Sequence, residues 1–377
     1  MTESNLLTEL AAHRNKRSRN SPSIYDGCVD ALERLGQHSL AAHDFDVTFG
    51  RVVEDEKFIS YVNLSNAKVF TAHLIAEIGS ESEGTWMAAY PKKIPAYKLP
   101  LADKASAHRM IIAARCPTGA PPKLVQLYND FMAVLDGVRT KDSDEEEQQG
   151  ERFQVTEWVT RSDGAWDKPC DIMQLRLAPT YEAPKSRSKK ESTPPSRPRN
   201  QKSQPVPQDT DMESIDNDST AKEGEKDTSP APPKERKVGD AYDPDCLPDH
   251  RGPYFAHQKS KLIQRDYKDV DGDLIAPQEV YGKLTEGTLF SAQITLHTYI
   301  WDGNPGFPRN KIYHIYVERL KILDKGYSQA WNPSIPVLPS PSAPSTPQKR
   351  GRAERDDNAD SAFDTFNSVS PTKRSRK

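Results

Sequence analysis

Residues 290–323 hold the side chains best suited to chemistry. Phe290, Ala292, Ile294, Leu296, Thr298 and Ile300 alternate with Ser291, Gln293, Thr295, His297, Tyr299 and Trp301 over twelve residues, which is the period of a strand. The cluster Asp302-Gly303-Asn304-Pro305-Gly306 then marks a turn. From Lys311 to Leu323 the strand pattern resumes, with Tyr313, Ile315 and Val317 on one side and Ile312, His314 and Tyr316 on the other. An antiparallel hairpin is predicted. Its outer face carries His297, Tyr299, Trp301, His314 and Tyr316, with Lys311, Arg319 and Lys321 nearby. Rings and cations on one sheet face can stack nucleobases and meet phosphates, at roughly 1–3 kcal/mol per stacked base. The same rings could instead pack beneath a loop or against another domain, the commoner fate of aromatics on strands.

The order of these features carries a resemblance. Gly287-Thr288-Leu289, a long strand ending in Trp301, a turn, and a strand ending in Leu320-Lys321-Ile322-Leu323 resemble the last two strands of the OB-fold of single-stranded-DNA-binding proteins. The resemblance covers 37 of 377 residues. It implies an OB-like β domain whose partner is single-stranded nucleic acid. Tyr299, Trp301, Tyr316 and His297 would then stack bases, with Lys311 and Arg319 beside the phosphates. Leu262–Tyr267 and Leu274–Ala276 would supply the preceding strands. The chain as a whole resembles uncharacterised fungal proteins, which implies no function.

Other constellations fall short of a site. Cys246, His250 and His257 make three candidate zinc ligands, where zinc sites want four, commonly in two short pairs. Asp269-Val270-Asp271-Gly272-Asp273 is similar to a calcium loop, but that loop wants glycine sixth and glutamate twelfth, where Leu274 and Val280 stand. A turn is expected there instead. No phosphate-binding glycine loop, nucleophile elbow or zinc-protease helix motif occurs. No metal, cofactor or enzymatic activity is expected. The four cysteines are widely spaced, without a C-x-x-C pair, as suits a reducing compartment.

The elements that must position the hairpin follow from composition. Only 35% of residues are hydrophobic and prolines outnumber glycines 31 to 19, so parts of the chain cannot offset the entropy of ordering. No run approaches the ~18 apolar residues of a membrane helix, and Met1–Asn20 has no apolar signal core; no membrane partner is expected. Residues 44–178 hold 16 basic and 21 acidic side chains, and residues 241–331 hold 11 and 12. Neither block has the basic bias of a duplex-DNA-binding domain.

An α+β fold is expected, with a small mixed N-terminal domain and a β-rich, OB-like C-terminal domain. The predicted divisions are a disordered basic arm (1–22), the α+β domain (23–178), a disordered linker (179–240), the OB-like domain (241–331) and a disordered basic tail (332–377). The linker is charge-segregated: residues 182–202 carry seven basic and two acidic side chains, and residues 209–227 carry two and eight. Within the first domain, Tyr25 to Ala42 has a rough helical stripe. Met110 to Cys116 reads as a buried strand. Leu124, Leu127, Tyr128, Phe131, Met132 and Leu135 form one helical face opening at Pro121-Pro122. Asp136-Gly137 is expected to end that helix, with an acidic loop over Asp142–Glu147. Arg152–Arg161 and Asp171–Leu177 read as strands.

The tail holds Lys349-Arg350-Gly351-Arg352 and Lys373-Arg374-Ser375-Arg376-Lys377, short cationic runs of the kind a nuclear import carrier reads, and Arg14–Arg19 is a third. A nuclear location is expected. Thr346 and Ser370 each precede proline and stand three residues before Lys349 and Lys373, as sites of a proline-directed kinase do. A phosphate there would add about −1.5 to −2 charges beside each run. The leading expectation is a non-enzymatic nuclear binding protein that contacts single-stranded nucleic acid. The alternative is a nuclear protein–protein adaptor.

Overall fold

The computed structural model describes residues 3–18, 21–43, 49–55, 57–88, 109–160, 171–182, 236–247, 260–301, 309–327 and 331. The longer helices are α1 (Glu3–Asn15), α2 (Ile24–Leu35) and α3 (Pro122–Gln148), and a single turn, Val280–Lys283, precedes the hairpin. The strands are β1 (Phe49–Asp55), β2 (Phe58–Asn63), β3 (Thr71–Ile78), β4 (Ile111–Arg115), β5 (Phe153–Thr156), β6 (Val159–Thr160) and β7 (Ile172–Arg176), followed by β8 (Tyr181–Glu182), β9 (Ala241–Tyr242), β10 (Lys261–Ile263), β11 (Tyr267–Lys268), β12 (Leu289–Trp301) and β13 (Arg309–Asp324). The α+β class is as expected.

Local chemistry sets several of these boundaries. Ser23 and Asp26 cap α2 reciprocally: the Ser23 hydroxyl accepts from the Asp26 N–H at 3.0 Å, and the Asp26 carboxylate accepts from the Ser23 N–H at 3.1 Å. The helix stops at Gly36, whose φ of +50° is costly for residues with a Cβ. In α3 the predicted stripe of Leu124, Tyr128, Phe131, Met132 and Leu135 is buried. The hairpin forms as the alternation predicts, with Tyr299 opposite Ile312 and His297 opposite His314.

Five strands close on themselves. β12 pairs β3, β3 pairs β4 and β4 pairs β7, all antiparallel; β7 pairs β13 in parallel, and β13 returns antiparallel to β12. Numbered in chain order, the circuit runs one-two-three-five-four-one. This is the arrangement of a five-stranded, partly open Greek-key barrel, which is OB-like. The closure is short at two seams: β3 and β4 share the rungs Glu77–Arg115 and Ile78–Ala114, and β7 and β13 share Leu175–Ile315 and Arg176–Tyr316. β2 extends the sheet from the far end of β12, and β1 pairs with β2.

This circuit corrects the two-domain division. Three barrel strands come from residues 71–176 and two from residues 289–324, so neither 23–178 nor 241–331 contains a barrel alone. One hydrophobic core joins Leu74, Phe131 and Leu175 to Phe290, Ile315 and Tyr281. The strands expected to precede the hairpin are not in the barrel: β10 belongs to a small sheet with β8 and β9, and β11 lies beside β13. The physical reason is that β12 is thirteen residues long and an isolated hairpin leaves one of its two edges unpaired. β13 satisfies one edge, and β3 and β2 divide the other.

Three further expectations change. Residues 1–22 include the helix α1 rather than a wholly disordered arm, and Arg14 is fully buried. Its guanidinium donates to Glu77 Oε2 at 2.6 Å, to Asp324 Oδ2 at 2.7 Å and to the Gly287 carbonyl at 2.6 Å. A buried guanidinium is tolerated only with such partners. The linker begins later than residue 179 and ends before 240, because Tyr181 is buried and β8 and β9 flank β10; residues 183–235 and the tail 332–377 lie outside the described residues. Finally, α3 runs through Gly137 and the acidic segment to Gln148. An interior glycine costs about 1 kcal/mol; beyond it, Asp142 and Glu146 are buried against Lys311 of β13.

Candidate nucleic-acid interface

Pleat alternation sorts the hairpin's side chains onto two faces. One lines the core with Phe290, Ile294, Leu296, Ile315 and Val317, all buried. The other holds His297, Tyr299, Trp301, His314 and Tyr316, all half-buried. The outer rings meet one another across the strands. His297 and Tyr316 have ring centroids 5.1 Å apart, as do Tyr299 and His314. Phe58, brought alongside by the β2–β12 pairing, stacks on His297 at 5.1 Å and 13° and lies 4.9 Å from Tyr299. The Tyr316 hydroxyl is 2.9 Å from His314 Nδ1 and donates to the Tyr299 hydroxyl at 3.5 Å. His297 is oriented by Ser60 Oγ at 3.2 Å and Thr295 Oγ1 at 3.0 Å.

Two arginines complete the face. Arg109, just before β4, sets its guanidinium 4.4 Å from the Tyr316 ring centroid, a cation–π contact. Its Nη1 donates to the Leu177 carbonyl at 3.2 Å. Arg176 sits in register with Tyr316 across the parallel seam.

Burial and neighbours tune these groups. Burial first, then the charges of Arg176 and Arg109, holds His314 well below the ordinary histidine range, so it is neutral at pH 7. Burial, then Tyr316, pushes the Tyr299 hydroxyl above its ordinary range. Burial lowers Arg176 to about 10, with Arg109 adding repulsion, and it remains charged at pH 7. The face thus sets a neutral His314 beside the positive charge of Arg176.

The sequence-predicted residues divide. The structure brings His297, Tyr299 and Tyr316 together and places Trp301 on the same face, opposite Asn310. Arg319 is also on that face, opposite Gln293, with its side chain 69% exposed and 3.3 Å from Asp266 Oδ2. Lys311 is a correction. It shares the inner face with Tyr313 and is fully buried, its Nζ donating to Asp142 Oδ2 at 3.0 Å and Glu146 Oε1 at 2.5 Å. Tyr61 and Tyr313 also donate to Asp142, and Arg51 donates to Glu146. A phosphate on the outer face is out of this lysine's reach. Phe58, Arg109 and Arg176 escaped the sequence reading. Arg176 alone left a signal, as an outward position in a recognised alternating strand.

The remaining candidates resolve simply. Among the described residues no three His, Cys, Asp or Glu side chains gather as a metal site requires; Cys246 is exposed, while His250 and His257 lie outside those residues, as do Lys349, Arg350, Arg352, Lys373, Arg374, Arg376, Lys377, Thr346 and Ser370. The aspartate loop is a turn: Asp269 Oδ1 accepts the N–H groups of Asp271 and Asp273, and Lys283 Nζ lies 2.7 Å from Oδ2. Among the described residues no helix is long and apolar enough to cross a membrane.

No protein-family model and no curated protein matches the chain. Among solved structures, gp2.5, a single-stranded DNA binding protein encoded by bacteriophage T7, is similar over 73% of this chain and 100% of that chain, at 8% identity and a TM-score of 0.29. At that distance the likeness assigns this chain neither a site nor a ligand.

Proposed function

We propose that the chain is a non-enzymatic protein that binds single-stranded nucleic acid on the outer face of β12, β13 and their neighbours. The observation that carries this reading is the gathering of Phe58, His297, Tyr299, His314 and Tyr316 on one half-buried sheet face, with Arg109 and Arg176 at its edge. Rings offer sequence-tolerant stacking, and a few cations meet the backbone. The lack of a strongly basic domain charge favours a single strand over a duplex, whose affinity is dominated by phosphate contacts.

The test is fluorescence anisotropy of the full chain with labelled oligonucleotides at low and moderate salt. A fragment of residues 241–331 is unsuitable because it lacks three barrel strands. Tyr299→Ala and Tyr316→Ala are expected each to cost roughly 1–3 kcal/mol of affinity while melting stays near wild type. A wild-type chain with no affinity for single strands, or variants that lose binding only as they unfold, sinks the reading and favours the packing role.

The same reading places the protein in the nucleus, delivered by an import carrier through Lys349–Arg352 and Lys373–Lys377 and regulated by a proline-directed kinase at Thr346 and Ser370. A reporter fused to residues 332–377 is expected to concentrate in the nucleus, and Thr346→Glu with Ser370→Glu to reduce that. A cytoplasmic wild-type fusion removes the tail as a sufficient signal.

A further inference from the structure

A cavity of about 220 Å³ lies between the β1–β2 ribbon and the part of α3 beyond Gly137. Tyr61, which lines it, follows Ser60 on β2, so alternation turns it to the face opposite the one on which Ser60 and Phe58 meet His297. Phe49, Tyr61 and Val138 give the cavity buried apolar walls. Leu64, 55% exposed, stands at its mouth. It folds over Gly50, where a Cβ would come within 2.6 Å of Leu64 Cδ2; the missing side chain gives the leucine its place. An apolar cavity of about 150 Å³ stays dry and takes up benzene, so this one has room for a six-membered ring and a substituent.

The remaining side of the cavity is polar, and its charges are matched. Arg51 lies 3.5 Å from Asp142 Oδ1, 3.1 Å from Glu145 Oε2 and 3.0 Å from Glu146 Oε1. Tyr61 donates to Asp142, and Lys311 holds Asp142 and Glu146 from behind. With Lys141 on the lining, three cations face three carboxylates. A charged ligand would lose its hydration against a wall already neutral, with no charge to gain. Glu145 keeps one capacity open: its side chain is 41% exposed, and Arg51 engages Oε2, leaving Oε1 to accept. We propose that this cavity binds a small neutral aromatic molecule with one hydrogen-bond donor, of the phenol class. The ring sits among Phe49, Tyr61 and Val138, and the hydroxyl donates to Glu145 Oε1. The site lies behind the ring-lined face and is independent of the nucleic-acid reading.

The experiment titrates the methyl-labelled full chain with phenol, benzene, benzylamine and benzoate. Nuclear Overhauser contacts from ring protons to the Val138 and Leu64 methyls locate the ligand, and melting temperature gives a second readout. Phenol is expected to touch both side chains and to raise the melting temperature with concentration. Benzene should occupy the same place about tenfold more weakly, for want of a hydrogen bond to a charged group. Benzylammonium and benzoate should not appear there. Glu145→Ala is expected to bring phenol down to the affinity of benzene and to leave benzene unchanged. Val138→Phe fills the cavity and should abolish both; if it fails to fold, Leu64→Trp, at an exposed position, closes the mouth and should weaken both. Phenol and benzene without contacts to Val138 and Leu64 would overturn the site, and so would wild-type binding in whichever filling variant folds. Equal affinity for phenol and benzene, an inert Glu145→Ala, or charged rings bound as tightly as phenol would overturn the ligand class.

Discussion

The two faces of the β12–β13 hairpin use charge in opposite ways. On the inner face, Lys311 is fully buried and held by Asp142 and Glu146 of α3. On the outer face, Arg109 and Arg176 border half-buried rings, among which His314 is kept neutral chiefly by burial. The inner cation is consumed by structure, whereas the outer ones face a surface on which a ligand can lie. The difference teaches that a cation's side of the pleat, not its distance along the chain from an aromatic, decides which role it can play. Lys311 and Asn310 are adjacent in sequence and point to opposite faces.

The comparison breaks most visibly at Lys311. Lys311→Met leaves Asp142 and Glu146 buried without their lysine, and loss of one partner of a buried ion pair typically costs 3–5 kcal/mol. Chemical denaturation is expected to show a loss of that size. Oligonucleotide affinity of the fraction that remains folded should be unchanged. A change in affinity with intact stability would put Lys311 on the binding side after all.

A smaller effect is expected at His314, on the other face. Folding lowers its pKa, so below pH about 6.5 the unfolded chain binds a proton that the folded chain does not. Its neutral form therefore contributes fully above that pH, and stability falls as pH drops toward the depressed folded value. The limit is about 1.4 kcal/mol per pH unit for one proton. His43 and His73 are shifted the same way, chiefly by burial, so His314→Gln should reduce the slope between pH 6.5 and 5 without abolishing it. Denaturation series at these pH values measure this. An unaltered slope would mean that burial, with Arg176 and Arg109, does not hold the ring neutral in the folded chain.

The smallest effect belongs to Arg319, on the outer face but exposed and already beside Asp266. Arg319→Gln is expected to change stability by less than about 0.5 kcal/mol and to leave the salt dependence of binding as in wild type. A clear fall in that slope would extend the phosphate path along β13 and blur the division between the arginine edge and the ring-lined middle.

Much of the local structure was legible. The hairpin's alternation and the apolar stripe of α3 are legible from period, because backbone geometry imposes those periods wherever an element has a buried side; the short strand at β4 is legible as an apolar run ahead of Pro117. The end of α3 was misread because a glycine followed by an acidic run has the local signature of a stop. What carries the helix onward is Lys311, 165 residues beyond Glu146. Arg14 and Lys311 looked like free cations because a positive side chain bears no mark of the carboxylates that will enclose it.

By itself the sequence determined that residues 290–323 form a hairpin, that a helix opens at Pro121-Pro122, which hairpin side chains share a face, and that rings would dominate the outer one. These are consequences of period, branching and turn residues acting over a few residues. Only the tertiary structure decided that strands on both sides of residues 183–235 close one barrel, that Phe58, Arg109 and Arg176 join the rings, and that Lys311 is removed from them. Those outcomes depend on which edges and which buried charges find partners. Partners separated by up to about three hundred residues, such as Arg14 and Asp324, are chosen by hydrogen bonding and desolvation in the assembled core.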